Sequence, residues 1–180
     1  MIIINGLSEI EYKGETIVAI GKFDGIHEGH QKLITYMTEQ RKEYKSVVFT
    51  FSYASEIYLN KDERILSDEE RHKKFERLGV DYLVEYDLND VTSKMEPEEF
   101  AREIIKKRLH AKEIVCGCDL SFGYKGRGNV DLLMSMAEEL DLKITVIEKV
   151  KYLGEDISST RIREALASGN IADAKNMLRG

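Results

Sequence analysis

Short apolar runs alternate with longer amphipathic segments along most of this chain. The runs are rich in β-branched and aromatic residues and have the length of buried strands; they are Thr16–Ile20, Val47–Phe51, Tyr82–Tyr86, Glu113–Gly117 and Lys143–Ile147. A further strand and turn are predicted over Ile2–Glu15. Residues 52–66 have no clear period and are predicted to form a loop or flap.

Apolar residues at helical spacing predict helices between these strands. Ser67 and Glu70 form a capping box at the start of one helix, and Pro97 fits the first turn of another. The predicted helices are Gln31–Gln40, Ser67–Leu78, Pro97–Leu109, Val130–Leu140 and two short ones separated by Ser168-Gly169-Asn170. This alternation predicts an α/β fold, a Rossmann-like doubly wound sheet that is largely parallel, in one domain over residues 1–180.

Composition excludes several functional classes. The chain is 42% hydrophobic and 33% charged, which is typical of a globular protein, and its net charge of -6 argues against a nucleic-acid binder. No apolar run has membrane-spanning length and the start lacks a signal-peptide pattern, so we expect a cytoplasmic protein without a membrane partner. Cys116 and Cys118 are expected to be reduced thiols, and no metal-ligand spacing is present.

A glycine-rich segment with two histidines follows the second predicted strand. Gly21, Gly25 and Gly29 allow tight turns and close approach of a ligand, and His27 and His30 lie near each other at the start of a helix. Unpaired N–H groups at a helix start favour phosphate. The segment is neither the G-x-G-x-x-G fingerprint nor a Walker A loop. The alternative is a connector with two structural histidines.

A second candidate site precedes the penultimate helix, where Ser158, Ser159 and Thr160 are followed by Arg161 and Arg163. A single serine is explained by capping, but three hydroxyl residues in a row are not. Cations in the first turn of a helix oppose its dipole and are better tolerated beside a polyanion. The segment therefore favours a phosphate pocket, and the alternative is a poorly optimised surface helix.

Together these motifs resemble a known family. The segments Gly21-x-Phe23-Asp24-Gly25-x-His27-x-Gly29-His30, Gly117-x-Asp119-x-x-Phe122-Gly123 and Ser158-Ser159-Thr160-x-x-Arg163 are similar to the FMN adenylyltransferase module of bacterial FAD synthetases, which are nucleotidyltransferases of the HxGH type. The resemblance runs from about Thr16 to Gly180. The HxGH element is shared by many nucleotidyltransferases, whereas the combination with Phe-Asp-Gly and the central motif indicates flavin.

The resemblance implies a reaction in which ATP transfers AMP to FMN, giving FAD and pyrophosphate with Mg2+. It implies catalytic roles for His27, His30 and Arg163. The residues implied to bind ATP are Gly21, Lys22, Phe23, Asp24, Gly25, His27, His30, Ser159, Thr160 and Arg163. The residues implied to bind flavin are Asp119, Ser121, Phe122 and Phe100. For Asp24, the alternatives of indirect support for Mg2+ and of fixing the turn stay open.

Two departures from the family pattern lie near the expected flavin side. Thr50-Phe51 is followed by Ser52-Tyr53-Ala54-Ser55 instead of Asp/Glu-Pro-His-Pro, and Leu120 follows Asp119 where phenylalanine is usual. No proline follows Pro97, so the Pro-Thr-x-Asn motif of the family's riboflavin kinase domain is missing, and a stand-alone enzyme and an excised domain are both open. Alternatives in function are transfer to another phosphorylated acceptor and non-catalytic binding of flavin or nucleotide.

Overall fold

Six parallel strands form the centre of the protein. The computed structural model describes residues 1–6, 12, 14–39, 44–52, 64–89 and 92–179. The strands are β1 (Ile2–Asn5), β2 (Thr16–Ile20), β3 (Lys45–Phe51), β4 (Tyr82–Tyr86), β5 (Ala111–Gly117) and β6 (Lys143–Ile147). They pair in the order β1-β4-β3-β2-β5-β6, and every pairing is parallel. The predicted doubly wound α/β sheet is therefore confirmed.

The helices are α1 (Glu28–Glu39), α2 (Asp68–Arg77), α3 (Pro97–Glu99), α4 (Val130–Met136), α5 (Ser159–Ala167) and α6 (Ile171–Leu178). Ser67 caps α2 with the predicted capping box. At the end of α5, Gly169 has a φ of 77°, and the Asn170 N–H donates to the Ala165 carbonyl. This pattern is a Schellman motif, which stops α5 before Asn170 caps α6.

Alternate residues of the strands pack against two separate helical layers. On β2, Ile17 and Ala19 belong to a core with α1 and α2, whereas Val18 and Ile20 belong to a core with α4 and the helical segment that follows α3. Burial on both faces explains why the strands read as continuous apolar runs. Within the described residues, no helix has the length and apolar character needed to cross a membrane.

Three local features differ from the sequence-based expectation. The predicted helix Pro97–Leu109 is α-helical only over α3 and continues as a π-helix, Phe100–Arg108, in which the Leu109 N–H donates to the Ile104 carbonyl. This wider turn sets Ile104 above Leu109, and both are buried in the core. A small hairpin, β7 (Lys151–Tyr152) with β8 (Glu155–Asp156), was not predicted. Most of the predicted loop or flap over 52–66 lies outside the described residues.

Candidate functional site

A cleft of about 330 Å³ lies at the carboxyl edge of the sheet between β2 and β5. The strand order reverses here, since β3 and β4 continue on one side of β2 and β5 and β6 lie on the other. Ligands of doubly wound sheets bind at this switch point. Four segments form the walls, namely 20–23 with 27–33, 117–121, 147–150 and 157–160.

The glycine-rich turn enters the cleft with a strained backbone. Phe23 and Ile26 have φ values of 50° and 43°, in the left-handed region that a β-branched residue rarely adopts. The glycines instead allow close packing. A Cβ at Gly25 would lie 3.1 Å from Ile65 and 3.2 Å from Leu178, so the end of α6 rests on this turn. Of the predicted ATP residues here, Gly21, Lys22 and Phe23 line the cleft and Gly25 does not.

His27 and His30 both line the cleft, and His27 also caps α1. The His30 backbone N–H lies 3.4 Å from the Nδ1 atom of His27, so this imidazole accepts the hydrogen bond that a serine or asparagine cap usually accepts. The two rings stack with centroids 3.7 Å apart. Among the described residues, the Nδ1 atom of His30 is buried without a hydrogen-bond partner.

Both histidines are neutral at pH 7. Burial lowers the pKa of His27 to about 4, although the charge of Asp119 opposes this shift and that of Lys74 adds to it. Burial, together with the charge of His27, also holds the pKa of His30 well below its ordinary value. An imidazolium at a helix N-terminus is disfavoured by the dipole. The cleft therefore offers two neutral imidazoles, and an anion bound beside them would raise both pKa values.

The N-terminus of α5 faces the same cleft. Ser158, Ser159 and Thr160 line it, and the Ser158 hydroxyl caps the helix by accepting from the Arg161 N–H. Arg161 is held outside the cleft, because its guanidinium donates to the Glu155 carbonyl at 2.9 Å and lies over the Tyr152 ring. Two helix N-termini, those of α1 and α5, thus point into one space, and such ends attract phosphate.

Arg163 is paired with the buried carboxylate of Asp24. Asp24 also accepts the Ile65 N–H at 3.1 Å, and its side chain is only 7% exposed, against 32% for Arg163. From the sequence, Arg163 was expected to oppose the dipole of its helix. In the structure the acid compensates that charge and ties α5 to the glycine-rich turn. Neither residue lines the cleft itself.

The predicted flavin residues fall into two groups. Asp119 and Ser121 line the cleft next to the end of β5. Phe100 and Phe122 are buried in the core, where their rings lie 5.6 Å apart and Phe100 also contacts Phe49. Of the departures from the family pattern, Leu120 lines the cleft. Tyr53, Ala54 and Ser55 lie outside the described residues.

Two cations near the site escaped the sequence analysis. Arg71 of α2 is 1% exposed, and its guanidinium donates to the Thr50 hydroxyl at 3.0 Å and to the Lys22 carbonyl at 3.4 Å. It therefore holds the end of β2 against β3. Lys149 follows β6 and lines the cleft beside Asp119. No motif marks either residue, because each acts through a partner distant in sequence.

Carboxylates suited to a divalent cation are few in the cleft. Among the described residues, Asp119 and Glu148 are the acidic ones that line it. Away from the cleft, Asp68, His72 and Glu85 bring ligand atoms within 4.8 Å of one another. Arg64 and Arg71 already contact the Asp68 carboxylate, at 2.6 and 3.3 Å, which opposes a metal ion there. A cation in the cleft would depend mainly on phosphate oxygens and water, the usual setting for Mg2+.

The sheet order and the cleft define a doubly wound α/β protein of the HxGH nucleotidyltransferase type. The family described as FAD synthetase matches residues 9–161. The chain belongs to the FAD synthetase family. Because this match spans most of the chain, the family resemblance seen in the motifs is confirmed.

Two similar proteins carry names of this family, and a similar solved structure carries a different one. A bifunctional riboflavin kinase/FMN adenylyltransferase of Buchnera aphidicola is 32% identical over 99% of this chain, which covers 59% of that protein. An FAD synthetase of Listeria monocytogenes is 29% identical, over 90% of this chain and 68% of its own length. A solved structure described as a macrolide-efflux protein from Streptococcus pneumoniae superimposes with a TM-score of 0.86 at 30% identity, over 99% of this chain and 60% of that one.

The lowered pKa of His27 predicts how stability depends on pH. The unfolded chain binds a proton at His27 near pH 6.5, whereas the folded protein resists it until about pH 4. The free energy of unfolding should therefore fall as the pH drops through this window, by up to about 1.4 kcal/mol per pH unit from this group. His27→Asn keeps a good cap without titrating. In denaturant melts between pH 6.5 and 5, the free energy of unfolding of this variant should fall less steeply with decreasing pH than that of the wild type. An equal dependence on pH would contradict the assignment.

The ion pair predicts that Arg163→Gln destabilises the protein in the absence of nucleotide. The substitution leaves the Asp24 carboxylate buried without its cation, at a cost of roughly 1–3 kcal/mol. Arg161→Gln is the matched control, because Arg161 contacts only the exposed hairpin and should cost less. In a double-mutant cycle, Asp24→Asn with Arg163→Gln should cost less than the sum of the single changes. Strict additivity in thermal melts would show that the pair does not couple α5 to the turn.

Proposed function

We propose that this domain is an FMN adenylyltransferase, which transfers AMP from Mg-ATP to the phosphate of FMN and releases pyrophosphate. The observation that carries the proposal is the meeting of the His27–His30 turn and the Ser158–Thr160 helix start in one cleft, in a chain of the FAD synthetase family. The chain covers 59% of the bifunctional relative, and we propose only this transferase activity for it. We expect it to act in the cytoplasm.

The nucleotide occupies the side formed by β2, α1 and α5. His27 and His30 donate to phosphate oxygens, and Ser159 and Thr160 hold the β/γ end together with the N–H groups of α5. Arg163 lies next to this side but outside the cleft lining, where Asp24 holds it in a partly exposed position. An incoming triphosphate competes with Asp24 for this guanidinium, which can contact phosphate through two of its donors. Gly21, Lys22 and Phe23 border the nucleotide.

The acceptor lies on the side formed by the ends of β5 and β6. An oxygen of the FMN phosphate attacks the α-phosphorus of ATP, and the bond from that phosphorus to the bridging oxygen of pyrophosphate breaks. No covalent intermediate with the protein is needed. The protein contributes by orienting the two phosphates and by stabilising charge on the departing group. Asp119 and Ser121 border the flavin, while Phe100 and Phe122 support this wall from the core.

Mg2+ fits this cleft as a partner of the nucleotide. When bound, it would neutralise phosphate charge, and it would need at most one or two carboxylates from the protein. Asp119 and Glu148 are the lining residues that offer such oxygens. The buried Asp24 carboxylate is engaged by Arg163 and the Ile65 N–H, so we assign it to positioning and not to the metal.

Two competing functions are transfer to another phosphorylated acceptor and binding without catalysis. Another acceptor would use the same nucleotide side, and a pure binding protein would not need two histidines at this position. The name of the Streptococcus pneumoniae structure gives macrolide efflux as a further possibility. We base the proposal on the family and on the chemistry of the cleft, since both concern nucleotidyl transfer.

Incubation with Mg-ATP and FMN should give FAD and pyrophosphate in equal amounts, measured by chromatography and a coupled pyrophosphate assay. Riboflavin should give no product, because it lacks the attacking phosphate. Phosphopantetheine and sugar or alcohol phosphates, tested in parallel, separate the proposed acceptor from others. Adenylylation of one of these in preference to FMN would replace the proposed acceptor, and no nucleotidyl transfer to any of them would leave a binding protein.

His27→Ala and His30→Ala should each lower turnover by about 100- to 1000-fold, because each removes a preorganised donor from the transition state. The two variants should differ in stability. Only His27→Ala removes a cap, at a cost of about 0.5–2 kcal/mol. His72→Ala is the control, because His72 lies outside the cleft and contacts Glu85. Steady-state kinetics with thermal melts test this, and full turnover in either cleft variant would make these histidines structural.

A further inference from the structure

Lys149 lines the cleft on the wall formed by residues 147–150, which contains none of the sequence motifs. It belongs to the segment after β6, and its ammonium is 3.1 Å from one oxygen of the Asp119 carboxylate. A second acid, Asp156, lies at 3.9 Å. The side chains of Lys149 and Asp119 are 33% and 69% exposed, so neither is locked in the core. The pair is therefore open to a ligand in the cleft.

Asp119 creates an electrostatic conflict for phosphate chemistry. Its carboxylate is close enough to His27 to raise the pKa of that imidazole against the effect of burial. Phosphates that reach the histidines therefore come near a negative charge, and like charges at short distance repel strongly in a partly enclosed site. Lys149 removes this conflict, because its ammonium contacts the carboxylate from the same wall.

The position of Lys149 indicates which phosphate it meets. The helix N-termini of α1 and α5 and the guanidinium of Arg163 lie on the nucleotide side. Lys149 and Asp119 follow the neighbouring strands β6 and β5, on the acceptor side. A phosphate delivered from this side reaches the ammonium first. An ammonium is a compact donor that rotates freely, which suits a phosphate that must be held while one of its oxygens attacks.

We propose that Lys149 binds the phosphate of the acceptor, and that Asp119 holds the Lys149 ammonium in place until this phosphate arrives. The inference rests on the proposed function and adds to it a residue that selects phosphorylated acceptors. Lys149 contributes no bond-making step. It places the attacking oxygen next to the α-phosphorus and offsets the charge of Asp119.

The test compares FMN with riboflavin, which differ by the phosphate. Lys149→Met should weaken FMN binding roughly 10- to 100-fold, the range of a charge-assisted contact. Riboflavin binding, the KM for ATP and the melting temperature should stay nearly unchanged, and Lys149→Arg should restore most of the FMN affinity. Lys151→Met is the matched control, because Lys151 lies two residues further on and does not line the cleft. Flavin fluorescence titration and steady-state kinetics give these values.

A double-mutant cycle tests the role of Asp119. In the Lys149→Met background, Asp119→Asn should improve FMN binding, because it removes an unpaired negative charge. In the wild-type background the same change should not improve it. Equal effects in both backgrounds, or an unchanged preference for FMN over riboflavin in Lys149→Met, would overturn the inference while FAD synthesis by the wild type persists. A wild type that binds FMN no better than riboflavin and forms no FAD would overturn the proposed function itself.

Discussion

The ion pair between Asp24 and Arg163 holds the cleft together. It joins residues 139 apart in the sequence and connects the glycine-rich turn to the second turn of α5. The carbonyl of Leu178 adds two weaker links, because it accepts from Lys74 at 3.4 Å and from Gln31 at 3.5 Å. These polar contacts add to the apolar packing of α5 and α6 against Ile65 and Val150. The phosphate contacts proposed for Ser159, Thr160 and Arg163 depend on this placement.

The charged residues that line the cleft are close to balanced, although we propose that the cleft binds anions. Both histidines are neutral because they are buried. Arg163 and Lys149 each have an acid partner, Asp24 and Asp119 respectively. An incoming phosphate therefore exchanges with an existing partner and does not meet a bare positive charge. This arrangement lowers the gain from binding any single anion and favours a ligand that engages several positions at once.

Local sequence signals were sufficient for most of the fold and for the centre of the site. Strand length, the capping box at Ser67 and the stop at Gly169 depend on neighbours within a few residues, so the sequence carries them directly. The histidine pair and the hydroxyl run were found for the same reason. Their meeting in one cleft was implied by the family resemblance, and it agrees with the rule that ligands bind at the carboxyl edge of a doubly wound sheet.

Features that depend on distant partners could not be read from the sequence. Arg163 was judged by its own helix alone, and its acid lies at the other end of the chain. Lys149 stands in the charged run Glu148-Lys149-Val150-Lys151, where nothing distinguishes it from a surface lysine. The burial of Phe100 and Phe122 depends on packing between elements, since aromatic residues near a motif suit a core and a pocket equally well.

The last two helices have a hydrophobic core of their own. Ile157, Ile162, Ala174 and Met177 form it, apart from the two cores that cover the sheet. Small units of this kind open locally at a lower free energy than central strands do. The backbone amides of α5 and α6 should therefore exchange with solvent before those of β2 and β5. Since this opening also withdraws the N-terminus of α5 from the cleft, a bound nucleotide slows it, and occupancy of the site becomes measurable as protection of helices that lie mostly outside it.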